Sequence, residues 1–230
     1  YPLQLLLISP LIQPDWSKIL DYFTIFKRVV SLILASSSPF RRAILDKLGL
    51  PFDVIAPEID EMRKDNESPF DLVVRLSKEK ALEVAKTHSG LIIASDQVAT
   101  FDSGENGADE ILTKPGTHEN AFLQLKKSSG RNVNFLTGLA LLNTDTSEMQ
   151  LHVEYYKVNF KILSDSQILN YLSKEDTLNC AGSFKSEGLG IALFNSMAGD
   201  DPNSLIGLPT IQLINMLAKE NVHVLWVLSI

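Results

Sequence analysis

The sequence predicts a mixed α/β fold, because short apolar strands alternate with amphipathic helices in the first half of the chain. Leu32 to Ala35 and Leu91 to Ala94 are short apolar runs of the kind that form buried strands. The segments "NVNFLTGLALLN" and "LHVEYYKVNFKIL" follow later, and the alternation in the second is typical of an antiparallel pair. Parallel and antiparallel elements are therefore both expected.

Composition narrows the class of protein. A chain of 230 residues with 45% hydrophobic content can bury one large core or two small ones. The formal net charge of -7 argues against nucleic acid or an anionic membrane as partner, since either would need a basic surface. A single cysteine, Cys180, excludes an intramolecular disulfide framework and fits the cytoplasm.

Residues 1–29 are expected to be an extension outside the domain, which then spans residues 30–230. The apolar piece from Leu3 to Ile12 is interrupted by Pro10, so it is too short for a membrane span. No basic residue precedes it, unlike the start of a secretory signal. The alternative is a loosely packed N-terminal helix built on "WSKILDYFTIFKRVV".

The junction "LILASSSPFRRAILDKLG" predicts a strand that turns into a helix. Ser38 suits the N-cap, Pro39 the first helical position and Gly49 the C-terminal cap. Free backbone N–H groups, hydroxyls and the guanidiniums of Arg41 and Arg42 then converge at the start of the helix, as they do in phosphate sites. A well-capped helix with solvated arginines is the alternative.

The next elements are a strand at Phe52 to Ala56, an acidic loop, and a helix that opens at Ser68-Pro69. Helical spacing places Lys80 within the apolar stripe of that helix. A lysine on a buried face needs an anionic partner, because an unpaired buried charge is costly. The alternative is that Lys80 extends to the edge of the helix and reaches water.

Asp96 stands at the end of an apolar strand, where ligands bind in open α/β sheets. Such an aspartate can ligate a divalent metal or act as a base toward water, although an ordinary strand-terminal aspartate looks the same. A loop rich in Asp, Gly and Glu follows and is expected to be a surface insertion. Lys114 then precedes a turn, and Thr117 is predicted to cap a helix that reaches about Ser128.

The C-terminal third contains a short capped helix, "SDSQILNYLSK", and a glycine-rich segment, "CAGSFKSEGLGIALF", around Lys185 and Glu187. Such a segment lets backbone approach a ligand closely, or forms a tight structural turn. A proline-started helix and a final apolar strand, "VHVLWVLSI", close the chain.

The motifs "ASSSPFRR", "EIDE", "SKEKA", "SDQVA", "TKPGTHENA", "AGSFKSEGLG" and "DPNSLIGLP" follow one another in an order that resembles the Maf family of nucleoside triphosphate pyrophosphatases, from about Ser31 to Leu217. The resemblance implies an inosine-triphosphatase-like mixed twisted sheet flanked by helices, with a cleft at the C-terminal ends of the strands. It also implies hydrolysis of a nucleoside triphosphate to the monophosphate and pyrophosphate, a divalent cation (Mg²⁺ or Mn²⁺), and a homodimer.

The resemblance also implies roles for individual residues. Asp96 matches the catalytic proton acceptor and metal ligand, with Glu61 or Asp60 as the second acidic residue at the metal. A phosphate would then be the partner of Lys80, so Lys80→Met is expected to be neutral or stabilising to the fold and to weaken triphosphate binding. The full assignment is: catalytic Asp96, Lys80 and Lys114; phosphate-binding Ser36, Ser38, Arg41 and Arg42; substrate specificity Phe40, Gln97 and Glu187; metal Asp96 and Glu61.

Two motifs favour one branch of the family. "SDQV" and "GSFKSEG" replace the "ADT" and "QG" of the branch that acts on dTTP and UTP, so the resemblance implies 7-methyl-GTP or another modified nucleotide as substrate. Phe40 departs from the tryptophan or arginine of relatives but keeps an aromatic ring for stacking. The alternatives are a nucleotide-binding regulator of cell division with weak turnover, and a general phosphohydrolase, for which the sequence lacks a nucleophile motif or histidine relay.

Overall fold

The structure is a computed structural model that describes residues 31–101 and 110–225. The expected N-terminal extension, the loop at 102–109 and residues 226–230 lie outside the described residues. Within the described residues, no helix combines the length and apolar character needed to cross a membrane.

Seven strands form one sheet within the described residues, in the order β2-β1-β3-β5-β6-β7, with β4 paired to β3. β1 runs parallel to both β2 and β3, whereas the other pairs are antiparallel, which confirms the predicted mixed sheet. The strands are β1 Leu32–Ala35, β2 Asp53–Ile55, β3 Leu91–Phe101, β4 Ile111–Leu112, β5 Asn132–Asn143, β6 Glu148–Phe160 and β7 Phe194–Gly199.

Helices cover both faces of the sheet, and polar side chains begin most of them. The predicted N-caps at Ser38 and Thr117 are confirmed, since each side chain accepts a backbone N–H three residues later. Ser164 forms a full capping box with Gln167. The helices are α1 Pro39–Asp46, α2 Pro69–Ala85, α3 His118–Ser128, α4 Asp165–Leu172, α5 Pro202–Ile206 and α6 Thr210–Lys219.

The prediction of a final strand is wrong for its described part. Residues 222–225 form no strand, and the N–H of Val222 donates to the carbonyl of Leu217 at 2.9 Å. Asn221, at φ 62°, turns the chain back on the end of α6, and Val222 packs on the core. The apolar residues at the start of "VHVLWVLSI" therefore close a helix end.

The core consists of apolar side chains on both faces of β1, β3 and β5. α2 buries Ala81 and Val84 against Ile92 and Ala94 on one face. α1 and α6 pack on Leu91, Ile93 and their neighbours on the other face. Because α2 and α1 lie on opposite faces, their polar side chains can reach the same strand end from two sides.

Gly138 lets α2 lie unusually close to the sheet. A Cβ at this position would collide with the backbone carbonyl of Val73 and lie 2.6 Å from Oγ of Ser77, both on α2. Gly138 pairs directly with Asp96 across β5 and β3. The close approach therefore brings the middle of α2 within reach of Asp96.

Two buried serines at this contact differ in their hydrogen bonds. The Ser77 hydroxyl has no hydrogen-bond partner in the described structure. The Ser95 hydroxyl lies 2.7 Å from the carbonyl oxygen of Gly138 and 2.9 Å from that of Gly207. Its one hydrogen is therefore shared between carbonyl oxygens on two separate segments. Both residues are fully buried.

We expect Ser77→Ala to leave the free energy of unfolding unchanged or slightly higher, because it removes an unpartnered buried hydroxyl. Ser95→Ala, the matched change, is expected to cost about 1–3 kcal/mol because it removes a buried hydrogen bond that joins β3 to the carbonyl oxygens of Gly138 and Gly207. Urea denaturation of both variants measures the difference. Equal losses in the two variants would contradict the hydrogen-bond assignment.

Candidate active site

A gap in the pairing of β3 forms the floor of a cleft. β1 ends at Ala35, which pairs with Ala94, and β4 pairs with β3 only from Ala99 onward. On that side, the stretch 95–98 of β3 has no neighbouring strand among the described residues. A cleft of about 940 Å³ lies over this stretch, and Asp96 and Gln97 are among the residues that line it.

An ammonium group joins two carboxylates in the cleft. Nζ of Lys80 lies 2.6 Å from Oδ1 of Asp96 and 2.7 Å from Oε1 of Glu61. The Lys80 and Asp96 side chains are only 7% and 11% exposed, whereas Glu61 is half exposed. The burial of Lys80 predicted from its helical spacing is confirmed. In this structure, however, its partners are two carboxylates of the protein.

Arg41 enters the cleft from the other face of the sheet and is fixed by the fold. Its Nε donates to the carbonyl oxygen of Gly207 at 2.8 Å, and its NH1 lies 3.5 Å from Oγ of Ser36. Gly207 ends α5 in the left-handed region at φ 119°, which favours glycine. Burial lowers the pKa of Arg41, and the charges of Asp96 and Glu61 oppose this effect. Arginine stays protonated at any physiological pH.

The serine turn lies at the same end of the cleft, but the two arginines separate. Ser36 is buried, and its Oγ accepts the backbone N–H of Ser38 at 3.1 Å, while Ser38 caps α1. Arg42 is not among the residues that line the cleft; its side chain is 64% exposed and 3.9 Å from Asp46. Successive helical residues point about 100° apart, so Arg42 faces solvent when Arg41 faces the cleft. In this structure Arg42 therefore lies outside the group of residues that line the cleft.

The remaining candidate residues line the same cleft. Lys114 is exposed and lies near enough to Glu61 for its charge to act on that carboxyl. Nε2 of Gln97 donates to Thr137 and to the carbonyl oxygens of Ser204 and Leu205, so its amide nitrogen is already used by the fold. Phe40 and Glu187 also line the cleft.

Of the two acidic residues expected near a metal, the structure brings Glu61 to the cleft. Asp60 is exposed and its Oδ1 accepts the backbone N–H of Met62. Burial alone would raise the pKa of Glu61. The hydrogen bond and charge of Lys80, with the charges of Lys114 and Arg41, outweigh that effect and hold the pKa below its ordinary value.

An ion pair that the sequence analysis did not identify holds the Glu61 loop. Arg75 on α2 donates to Glu67 at 2.6 Å and to the carbonyl oxygen of Met62 at 2.9 Å. The hydrogen bond from Arg75 lowers the pKa of Glu67 to about 2. This ion pair therefore stabilises the fold fully above the ordinary pKa of 4.5, and the stabilisation is lost as the pH falls toward 2.

Cys180 lines the cleft in a half-buried position. Burial raises the pKa of its thiol to about 11. Cys180 therefore lacks the lowered thiol pKa that is typical of a nucleophilic cysteine.

The donor set is compatible with a divalent cation bound together with substrate. Groups of three or more potential ligand residues are absent from the described ranges. Mg²⁺ is typically held by one or two carboxylates plus substrate phosphates and water, and Asp96 and Glu61 provide two such oxygen ligands on one ammonium. The protein residues therefore fit Mg²⁺ or Mn²⁺ only in combination with phosphate oxygens.

The mixed sheet and the cleft define an α/β protein in which the cations Arg41, Lys80 and Lys114 line one cleft with the carboxylates of Asp96 and Glu61. The chain belongs to the Maf-like protein family, whose pattern matches residues 31–220. The sequence resemblance to that family is thereby confirmed.

Curated relatives match along most of their length. A protein named 7-methyl-GTP pyrophosphatase from Alcanivorax borkumensis is 52% identical over 194 residues, covering 84% of this chain and 95% of the relative. One of the same name from Pseudoalteromonas atlantica is 52% identical over 195 residues, covering 85% of this chain and 97% of the relative. Among solved structures, the Staphylococcus aureus Ham1 protein is 14% identical with a TM-score of 0.45, covering 83% of this chain and 99% of that one.

Proposed function

We propose that the protein hydrolyses a nucleoside triphosphate between its α and β phosphates, yielding the monophosphate and pyrophosphate. The observation that carries this proposal is the convergence of Arg41, Lys80 and Lys114 around the carboxylates of Asp96 and Glu61. Hydrolysis of a triphosphate requires neutralisation of charge and an oriented water more than covalent chemistry from the protein. The curated relatives are named as pyrophosphatases, in agreement with this chemistry.

Asp96 is the residue that would accept the proton of the attacking water. Its Oδ1 is engaged by Lys80, and its Oδ2 has no hydrogen bond from a described residue. The Lys80 ammonium thereby fixes the orientation of the carboxylate, with one oxygen left to face the cleft. A positioned base of this kind contributes ~10²–10⁴-fold to a rate.

The cations would bind the phosphates from separate sides. Arg41 is held by Gly207 before any ligand arrives, so little side-chain entropy is lost when it binds an oxyanion. Lys114 is exposed in the same cleft, so its side chain can reorient toward the β and γ phosphates. A divalent cation held by Asp96 and Glu61 would supply further charge neutralisation on the phosphates.

The base is proposed to be a modified guanine, with 7-methyl-GTP as the first substrate to test. Phe40 gives an aromatic face for stacking, and a cationic base on such a face gains about 0.5–2 kcal/mol. Glu187 is exposed in the same cleft and can accept from N1–H and the exocyclic amine of guanine. Removal of modified triphosphates would prevent their incorporation into nucleic acids.

One assay tests both the proposed reaction and the proposed base. It measures pyrophosphate release, with Mg²⁺ or Mn²⁺, from 7-methyl-GTP, GTP, CTP, UTP and dTTP. Release from no triphosphate would contradict the reaction. A preference for dTTP would contradict only the choice of base. The predicted homodimer is tested separately by sedimentation.

Glu187→Gln is expected to reduce the kcat/KM ratio of 7-methyl-GTP to dTTP about tenfold, because a carboxylate that pairs with base donors gives roughly 1–3 kcal/mol of discrimination. Glu119→Gln, an exposed change on α3 outside the cleft, is the matched control and should keep the wild-type ratio. A kcat/KM ratio of 7-methyl-GTP to dTTP that equals the wild-type ratio in Glu187→Gln would show that Glu187 does not recognise the base.

A further inference from the structure

Lys185 is a cleft cation to which the preceding mechanism gives no role. Its side chain is 22% exposed, and its Nζ lies 4.0 Å from Oε2 of Glu175, beyond hydrogen-bond distance. No described residue accepts a hydrogen bond from this ammonium. A lysine ammonium has three donors, and the 4.0 Å ion pair with Glu175 satisfies none of them by a hydrogen bond. The ammonium is therefore available to an acceptor on a ligand in the cleft.

The backbone around Lys185 is fixed by the fold. Its N–H donates to the Tyr171 hydroxyl at 3.1 Å, and Oε1 of Glu175 accepts the N–H of Leu189 at 2.8 Å. The preceding residue, Phe184, packs edge-on against Phe135 and two other phenylalanines in the core. The segment 184–189 is thus anchored at both ends, so Lys185 and Glu187 are presented to the cleft from a rigid support.

The position of the ammonium indicates the base rather than the triphosphate. Nζ lies 5.8 Å from the centroid of the Phe40 ring, the surface on which a base would stack. The Lys80, Asp96 and Arg41 group is joined by its own contacts, and none of them involves Lys185. Glu187 follows two residues later, so the segment offers a donor and an acceptor together.

We propose that Lys185 is a specificity-determining residue that donates to the 6-oxo oxygen of a purine while Glu187 accepts from the adjacent N1–H. Guanine and 7-methylguanine carry an acceptor at position 6 and a donor at position 1, whereas adenine carries the reverse. Adenine would place its amino group against the ammonium and its N1 lone pair against the carboxylate. Lys185 and Glu187 together therefore select 6-oxopurines, and this inference rests on the proposed function for the nature of the ligand.

Calorimetric titration with the α,β-methylene analogues of GTP and ATP, in Mg²⁺ buffer, tests the inference without turnover. The wild type is expected to bind the guanine analogue more tightly. Lys185→Met should weaken that binding about tenfold and leave the adenine analogue within twofold, since a hydrogen bond to a charged group is lost only with the 6-oxo ligand. Lys185→Arg should retain the preference, and Lys174→Met, an exposed control outside the cleft, should match the wild type.

Equal weakening of both analogues in Lys185→Met would assign Lys185 to the phosphates. Unchanged binding of both analogues would show that Lys185 does not contact the nucleotide. Either result overturns the inference. A wild type that binds neither analogue, or prefers the adenine one, also overturns it. Pyrophosphate release from GTP is measured in parallel. Binding with the expected ranking but no release would contradict the proposed function and leave the role of Lys185 standing.

Discussion

Asp96→Asn is expected to lower turnover ~10²–10⁴-fold while the protein stays folded. The amide is nearly isosteric with the carboxylate, and its oxygen can still accept from Lys80, which also keeps its pairing with Glu61. What is lost is the oxygen that would take a proton from water. The measurement is kcat for pyrophosphate release, with thermal unfolding as a check on the fold.

Asp53→Asn on β2 makes the same chemical change at an exposed position outside the cleft and should retain wild-type turnover. Binding of the non-hydrolysable GTP analogue to the Asp96→Asn variant separates chemistry from affinity. Near-normal turnover in the purified Asp96→Asn variant would show that another group accepts the proton.

Lys80→Met is expected to destabilise the fold by about 3–5 kcal/mol, because it leaves the buried Asp96 carboxylate without its counter-charge. The ion pairs in the structure overturn the expectation, drawn from sequence alone, that this substitution leaves the fold intact. Turnover should also fall, since Asp96 loses its orienting contact. Urea denaturation at neutral pH measures the free energy of unfolding.

The double variant Lys80→Met/Asp96→Asn provides the control. Removal of the carboxylate charge should recover much of the stability lost in Lys80→Met, and the difference gives the coupling between the two residues. A double variant that is no more stable than Lys80→Met would mean that the loss comes from packing around the lysine stem.

Local patterns were sufficient to predict most of the fold. The caps at Ser38 and Thr117 and the alternation of residues 151–163 depend on neighbours within a few positions. The burial of Lys80 also followed from helical spacing alone. The final strand failed because an apolar run gives the same signal whether it pairs in a sheet or packs at a helix end, as Val222 does.

The features of the site that could not be predicted from the sequence depend on contacts between residues far apart in the chain. Arg41 and Arg42 are adjacent and chemically identical, and the contact that separates them is with Gly207, 166 residues away. The carboxylate partners of Lys80 depend on the close approach that Gly138 permits between α2 and β5. Lys185 stood in a segment already singled out for its composition, but its position beside the Phe40 ring is visible only in three dimensions.

The Lys80–Asp96 ion pair limits the routes by which this chain can lose its site during adaptation. Removing the Lys80 charge alone leaves the buried Asp96 carboxylate unmatched, whereas Asp96→Asn leaves Lys80 paired with Glu61. Loss of the site is therefore accessible by substitution of Asp96 first and is disfavoured by substitution of Lys80 first. Directed evolution for heat resistance alone, one residue at a time, should replace Asp96 before Lys80 when no nucleotide is supplied.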